Sequence, residues 1–219
     1  MLIERIGTVI TDFDSKFGVP RQAGLVPGLE GKIVFEKEYR NTDALRGLEQ
    51  FSHIWLIWGF SENEGAEWNA TVRPPRLGGN VRLGVFATRS PFRPNHLGLS
   101  CVELDRIDYE DPEGPILYIR GADIMSGTPL YDIKPYVPYA DCIPGASEGF
   151  ATEPDETLEV EIACETELAE DTLETLKAVL AQDPRPRYHE DGRVYGFGFG
   201  GKEVKFEVSG SKCRIISIE

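Results

Sequence analysis

The 219-residue chain lacks several features that assign a protein quickly to a common class. It has no run of 18 apolar residues, so we expect no membrane-spanning helix. Its first ten residues, MLIERIGTVI, place Glu4 and Arg5 within the apolar run and are unlike a signal peptide. From these absences we expect a cytoplasmic protein that has no membrane partner.

Cysteine and histidine are also scarce, with four and three residues respectively. No two cysteines form a CxxC pair, so we predict neither a metal site nor a disulfide framework. His53 lies inside an apolar stretch, which favours a buried histidine with satisfied hydrogen bonds. Cys101, in LSCVEL, is interpreted as a small buried apolar residue.

The usual nucleotide-binding loops and nucleophile motifs are missing. The chain contains no GxxxxGK[ST], no GxGxxG between a strand and a helix, and no GxSxG. The run GFGFGG at residues 196–201 lies between two predicted strands, so it indicates a hairpin. These absences exclude P-loop and Rossmann enzymes.

Charge is distributed unevenly along this acidic chain, whose formal net charge is −14. Residues 148–176 hold eleven acids and no lysine or arginine, a composition typical of a solvated surface helix. Residues 69–102 hold no acid and five arginines, at positions 73, 76, 82, 89 and 93. The second stretch is therefore able to meet a polyanion despite the overall charge.

Short apolar stretches separated by turn signals predict a mainly β protein up to Asp141. Strands are expected at 2–10, 33–35, 52–60, 81–88, 99–107 and 116–122, with an extended stretch at 132–141. The 52–60 strand is expected to be buried on both faces. A short helix over 43–49, capped by Thr42, is the exception. This pattern favours a single-sheet β-barrel.

The pattern changes after a predicted linker at residues 142–157. A strand at 158–164 and a helix from a Thr166 cap to about Gln182 are expected first. Strands at 194–199 and 203–209 flank the hairpin glycines, and a last strand covers 213–218. We therefore predict a barrel over residues 1–141 and a small α+β appendage over 158–219.

Four segments combine Gly and Pro with a few polar side chains: PRQAGL at 20–25, TVRPPRLGGN at 71–80, ATRSPFRPNHLGLS at 87–100, and ADIMSGTPLYDIKPYVPYAD at 122–141. Glycine allows close approach of the backbone to a ligand, and proline lowers the entropy lost when a loop becomes ordered. Composition alone leaves two interpretations open: ligand-binding loops at a barrel mouth, or tight β-turns.

The same segments resemble the TsaA-like (UPF0066) family. The matching strings are VPRQAGL, DALRGLEQFSHIWL, TVRPPRLGG, VRLGVFATRSPFRPNHLGLS and SGTPLYDIKPYVPYAD, and LAQDPRPRY at 180–188 matches longer members. Full-length bacterial members are tRNA methyltransferases that act on N6 of threonylcarbamoyladenosine at position 37, next to the anticodon. The resemblance implies a homodimeric barrel that binds S-adenosyl-L-methionine without a Rossmann fold, near the subunit interface.

Site residues follow from the resemblance motif by motif. It implies cofactor contacts at Gln22, Ala23, Gly24, Leu25, Ser61, Glu62, Arg89, Leu99, Gly121, Ala122 and Asp123. The Ser61-Glu62 turn departs from the histidine-containing form of bacterial members. Arg89 is suited to pair with the methionine carboxylate of the cofactor.

The acceptor nitrogen is a poor nucleophile, so a group that takes its proton is expected. Asp132 and Asp123 are the carboxylates in the Gly- and Pro-containing segments that could take this proton, although Asp132 is equally suited to a structural role. Candidate tRNA contacts are Arg73, Arg76, Arg93, Lys134, Arg185 and Arg187, each of which could instead be an ordinary surface residue. Tyr131, Tyr136 or Tyr139 could stack on an anticodon-loop base.

Two other functions remain open at this point. The barrel could methylate another RNA or a small molecule, because the matching motifs mainly serve the cofactor. Alternatively, it could be a non-catalytic module that senses the cofactor.

Overall fold

A closed six-stranded barrel forms the first part of the chain. The computed structural model describes residues 2–77, 79–151, 156–185 and 192–219. Its first elements are β1 (Gly7–Thr11), β2 (Glu30–Phe35), β3 (His53–Gly59), β4 (Thr71–Val72), β5 (Leu83–Gly84), β6 (Leu97–Asp108), β7 (Ile116–Arg120), β8 (Thr128–Pro135) and α1 (Pro138–Asp141). The barrel order is β1-β2-β7-β6-β3-β8, closed by antiparallel pairing of β8 with β1. The predicted mainly β barrel is confirmed.

The barrel core follows from the two-residue period of its strands. On β3, Ile54, Leu56 and Trp58 point inward and are buried. Trp55 and Ile57 lie on the outer face and are half-exposed, so the prediction that this strand is buried on both faces is wrong.

Two single-residue predictions of burial also fail. His53 is exposed, because β3 begins there, and its Nδ1 lies 3.0 Å from the Ser52 hydroxyl. Cys101 is only half-buried, since it lies on the outer face of β6 opposite Trp55.

Three predictions of local secondary structure are wrong: two predicted strands are too long, and one predicted helix is interrupted by a glycine. β1 begins at Gly7, since Gly7 pairs with Phe35, the last residue of β2. The predicted 81–88 strand is reduced to β5, which pairs only with the two-residue β4. Residues 43–49 form two short 3₁₀ turns, separated at Gly47 by a φ of +90°, and Asn41 is the N-cap.

A second sheet with one helix forms the C-terminal part. It contains β9 (Glu159–Ile162), α2 (Glu170–Ala181), β10 (Val194–Phe199), β11 (Lys202–Ser209) and β12 (Lys212–Ile218), in the sheet order β10-β11-β12-β9. Gly200 and Gly201 both have positive φ, as a two-residue hairpin requires. α2 begins later than predicted, after Ala169, while the Thr166 hydroxyl accepts a hydrogen bond from the Leu168 amide.

The β1–β2 loop (residues 12–29) joins the two parts. Its residues Phe13, Val26 and Leu29 are buried in one cluster with α2 and the C-terminal sheet. Phe17 stacks on Tyr195 with 6.1 Å between ring centroids. The loop therefore belongs by packing to the second core, although it connects two barrel strands. The predicted division at residues 141 and 158 stays a prediction.

Candidate active site

Two adjoining cavities lie where the β1–β2 loop meets an excursion of the barrel that we name the arm (residues 60–96). The larger cavity has a volume of about 560 Å³ and the smaller of about 250 Å³. Trp58, Phe60 and Asp123 line both cavities, so they mark the junction between them. A molecule in one cavity would meet a molecule in the other beside these three side chains.

The aromatic wall at the junction depends on a glycine. Gly98 of β6 pairs with Trp58 of β3, and a Cβ at Gly98 would lie 2.4 Å from the indole Cε2. Only glycine leaves room for the indole to lie flat over β6. The ring centroids of Trp58 and Phe60 lie 4.5 Å apart in an edge-on arrangement.

Asp123 follows β7 and is held by a buried hydrogen-bonded chain. The Ser100 hydroxyl donates to Asp123 Oδ1, and the Trp58 indole N–H donates to Ser100 Oγ at 2.9 Å. Burial raises the pKa of Asp123, and the hydrogen bond from Ser100, backbone amides and the positive charge of Arg89 offset part of that rise. The carboxyl therefore titrates above the ordinary range of an aspartate.

Arg89 connects the arm to the β1–β2 loop across the larger cavity. Its Nη1 donates to the side-chain oxygen of Gln22. Arg93 lines the same cavity and stabilises the turn around Thr88 and Ser90, because its Nη1 donates to the carbonyls of these two residues at 3.1 and 3.2 Å. Arg89 and Arg93 are therefore held in place by hydrogen bonds to neighbouring loop residues.

The structure brings together six of the predicted cofactor contacts. Gln22, Arg89, Leu99 and Asp123 line the larger cavity, and Ser61 and Glu62 line the smaller one. Ala23, Gly24, Leu25, Gly121 and Ala122 do not contribute to either lining. Gly24 donates its amide to the Gly121 carbonyl at 2.8 Å, and Ala122 is buried in the barrel core. These residues dock the β1–β2 loop onto the barrel.

The two predicted catalytic carboxylates are separated. Asp132 pairs with Ile57 in register, on the outer face of β8, and lines neither cavity. Its Oδ2 forms an ion pair of 3.0 Å with Lys134 Nζ. Asp123 is therefore the predicted catalytic carboxylate that lies at the junction.

The predicted tRNA contacts differ in exposure and in the groups that hold them. Arg73 is exposed at the end of β4, whereas Arg76 is half-buried in the 3₁₀ turn Pro75–Leu77. Arg185 binds both carboxylate oxygens of Asp183, at 2.8 and 3.0 Å. Arg187 lies outside the described residues.

The predicted stacking tyrosines are also dispersed. Tyr139 is exposed in α1, and the Tyr136 ring lies beside Trp55, with 5.9 Å between ring centroids. The Tyr131 ring packs against Gly59, at the end of β3. They do not form one stacking surface.

Sequence reasoning missed Ser100 and Trp58 as site residues. The alternation of β6 places Ser100 on the same inward face as Gly98 and Val102. A serine at an inward position of a barrel strand needs a buried partner, which is the signal that could have identified it. The partner itself comes from a turn 23 residues away and is not apparent from the pattern.

In the described part of the chain, no helix is long and apolar enough to cross a membrane. Among the same residues, no group of three or more His, Cys, Asp or Glu side chains is arranged to hold a metal ion.

Comparison with known proteins gives a coherent result. Residues 8–142 match the model of the tRNA-methyltransferase O N-terminal domain, and residues 152–219 match that of the TrmO C-terminal domain. The tRNA (adenine(37)-N6)-methyltransferase of Escherichia coli K12 is 40% identical over 228 residues, covering 99% of this chain and 97% of that protein. A protein of the same name from Eikenella corrodens is 48% identical over 162 residues, covering 72% and 91% respectively.

Solved structures agree with this result. A crystal structure of TrmO superposes with a TM-score of 0.79 at 32% identity, covering 100% of this chain and 98% of that one. A TrmO structure from Pseudomonas aeruginosa superposes with a TM-score of 0.80 at 33% identity, covering 100% and 96%. A further Pseudomonas aeruginosa relative carries the name of an S-adenosylmethionine-dependent methyltransferase. It is 40% identical over 205 residues, covering 89% of this chain and 87% of that protein.

Proposed function

The chain belongs to the tRNA-methyltransferase O family, and from this premise we propose that it methylates N6 of the adenosine at position 37 of tRNA. The methyl donor is S-adenosyl-L-methionine, and the acceptor is the threonylcarbamoyl form of that adenosine. The observation that carries the proposal is the pair of cavities that meet at the Asp123 carboxyl. A transferase of this kind needs two adjacent binding spaces and a proton acceptor between them.

The larger cavity fits the chemistry of the donor. Trp58, Phe60 and Leu97 provide apolar surface for an adenosyl group. Arg89 presents a guanidinium that suits a carboxylate. When bound, S-adenosyl-L-methionine supplies an activated methyl group on a sulfonium sulfur. The protein's part is to orient that group towards the junction and to keep water out.

Asp123 is the residue that we assign as proton acceptor. With S-adenosyl-L-methionine held in the larger cavity, methylation of N6 would release the N6 proton, and the Asp123 carboxylate would accept it. Because the pKa of Asp123 is raised, its carboxylate is a better base than an exposed aspartate. Solvent then removes the proton from the carboxylic acid before the next turnover.

The arm is the part of the chain that we propose to contact the tRNA. It carries all five arginines of the acid-free stretch, and Arg73 and Arg82 are exposed. Trp68 and Phe86 are 52% and 73% exposed, and the pairing of β4 with β5 brings their segments side by side. Arginines hold phosphates, and exposed aromatic rings stack on unpaired bases of an RNA loop.

A homodimer completes the proposal. Leu99 is 54% exposed on the outer face of the barrel, next to Ile57 and near the half-exposed Trp55. All three residues also line the larger cavity, so a partner subunit on this face would lie against the cofactor. A tRNA substrate places the protein in the cytoplasm.

The test is turnover on tRNA purified from a strain that lacks the gene. Purified protein with S-adenosyl-L-methionine should convert threonylcarbamoyladenosine to its N6-methyl form, as measured by mass spectrometry of the digested nucleosides. Cofactor binding without methylation of any RNA would favour a sensing module. Methylation at another nucleoside would favour a different substrate.

A further inference from the structure

Ser100 is a buried polar residue in a barrel whose core consists mainly of apolar side chains. It is 2% exposed, and among the described residues it shares that status only with Thr128. A buried hydroxyl is costly unless it is hydrogen-bonded. Its partners are both at the cavity junction: Trp58 on one side and Asp123 on the other.

The chemistry of these partners fixes the direction of the hydrogen bonds. An indole N–H can only donate a hydrogen bond, so Ser100 Oγ must be the acceptor in its hydrogen bond with Trp58. The Ser100 hydroxyl hydrogen is therefore left to point at Asp123 Oδ1. Ser100 always donates to the carboxyl in this arrangement, and the indole prevents it from turning away.

Asp123 has little orientational freedom as a result. In addition to the hydrogen bond from Ser100, the backbone amides of Ala23 and of Asp123 itself favour the ionised form of the carboxyl. Ala23 belongs to the β1–β2 loop, so barrel and loop together hold the group. Donors that bind the ionised carboxylate keep it ready to accept a proton, and a misplaced base loses rate steeply.

We infer that Ser100, oriented by Trp58, is a positioning residue that holds the Asp123 carboxylate at the cavity junction for proton acceptance. The inference rests on the proposed methyl transfer. It assigns a role to a residue that lines neither cavity but hydrogen-bonds to two residues that line both.

The test compares Ser100→Ala, Ser100→Thr and the wild-type protein. Removal of the hydroxyl should lower kcat roughly 10- to 100-fold while KM for cofactor and tRNA changes by less than about 3-fold. Loss of a donor to the carboxylate raises the pKa of Asp123, so the acidic limb of the kcat–pH profile should move to higher pH. Ser100→Thr retains a hydroxyl and should restore both properties.

The other charges around Asp123 stay in place in these variants. Arg89 acts on it directly, and Lys16, Glu62, Arg21 and Arg93 line the cavities with it. A displaced acidic limb in Ser100→Ala therefore reports the lost hydroxyl.

Two further variants keep the inference testable if Ser100→Thr packs poorly. Trp58→Phe removes the indole donor together with part of the apolar lining of both cavities, so its readout is the pH profile and not KM. That profile should shift in the same direction by a smaller amount. Thr11→Val is the matched control, because it removes a half-buried hydroxyl that donates to the Ile124 carbonyl at 2.9 Å, next to Asp123 in the chain, but not to the carboxyl itself. Thermal melts establish that each variant is folded.

Three outcomes overturn the inference: an unshifted pH profile in Ser100→Ala, an equal loss of kcat in Thr11→Val, or a rise in KM for the cofactor with kcat unchanged. If the wild-type protein itself methylates no tRNA, the proposed function fails. If the wild type is active and Ser100→Ala is equally active, only the role of Ser100 fails.

Discussion

The contact between Gly28 and helix α2 allows a sharp test of how the C-terminal part supports the β1–β2 loop. A Cβ at Gly28 would lie 2.6 Å from Thr175 Oγ1, and the next nearest atoms, Thr175 Cβ and Cγ2, would be 3.6 Å away. Gly28 is not among the glycines with positive φ, so alanine is compatible with its backbone. The obstacle to Gly28→Ala is therefore a single hydroxyl oxygen.

The expected free-energy changes follow from that geometry. Gly28→Ala should lower the free energy of unfolding by about 1–3 kcal/mol through overpacking. Thr175→Ala removes hydrogen bonds of 2.9 and 3.4 Å to the Asp171 and Gly28 carbonyls, but alanine has the higher helix propensity. Because these effects oppose each other, the free energy of unfolding should change by less than about 1 kcal/mol. The double variant has no clash, and alanine reduces the entropy of its unfolded chain. We expect it to match the wild type, which gives a coupling of about 1–3 kcal/mol.

Two assays follow the same four proteins. Urea unfolding gives the coupling, and calorimetric titration gives the affinity for S-adenosyl-L-methionine. Gly28→Ala should weaken cofactor binding, because displacement of the β1–β2 loop moves Gln22 away from Arg89, and the double variant should recover it. Additive losses of stability in the double variant would refute the steric explanation. Unchanged affinity in a destabilised Gly28→Ala would refute the link to the cavity.

Three further predictions concern the site itself. Arg89→Ala should weaken cofactor binding about 10-fold or more in calorimetry, with a smaller effect on tRNA affinity, and the reverse order would reassign Arg89 to the RNA. Asp123→Asn should lower kcat, measured by nucleoside mass spectrometry, by about 10²–10⁴-fold. The wild-type kcat should fall as the pH decreases through the raised pKa of Asp123, because only the ionised carboxyl accepts a proton. A wild-type profile that is flat down to about pH 4 would contradict this role. Arg73→Ala should reduce the salt dependence of tRNA binding by about one unit of slope without changing cofactor affinity, whereas an unchanged slope would remove Arg73 from the RNA contact.

The sequence predicts the barrel better than it predicts the site. The apolar, strand-favouring composition of β3 and β6 is a local property, so both strands were predicted close to their observed bounds. The 81–88 strand was not, because its apolar residues lie in the arm, where only β4 is available to pair. Gly47 likewise divides a plausible helix into two turns.

The two aspartates show why motif membership does not settle a role. Asp132 and Asp123 lie nine positions apart in one Gly- and Pro-containing segment, residues 122–141. Register against β3 puts Asp132 on the outer face, whereas the turn after β7 brings Asp123 to the junction. Ser100 was recognisable as an inward polar residue, but its partner depends on strand order and loop path, which are tertiary facts.

The shared β1–β2 loop also bears on how the chain could be shortened. A truncation after the barrel would leave Phe13, Val26 and Leu29 without the apolar surface that covers them. Such a fragment would present a water-exposed apolar seam directly beside Gln22, and we expect it to aggregate or to refold that loop. We therefore expect the minimal active unit of this protein to be larger than its barrel, and a protease cut that releases the C-terminal part to inactivate the barrel as well.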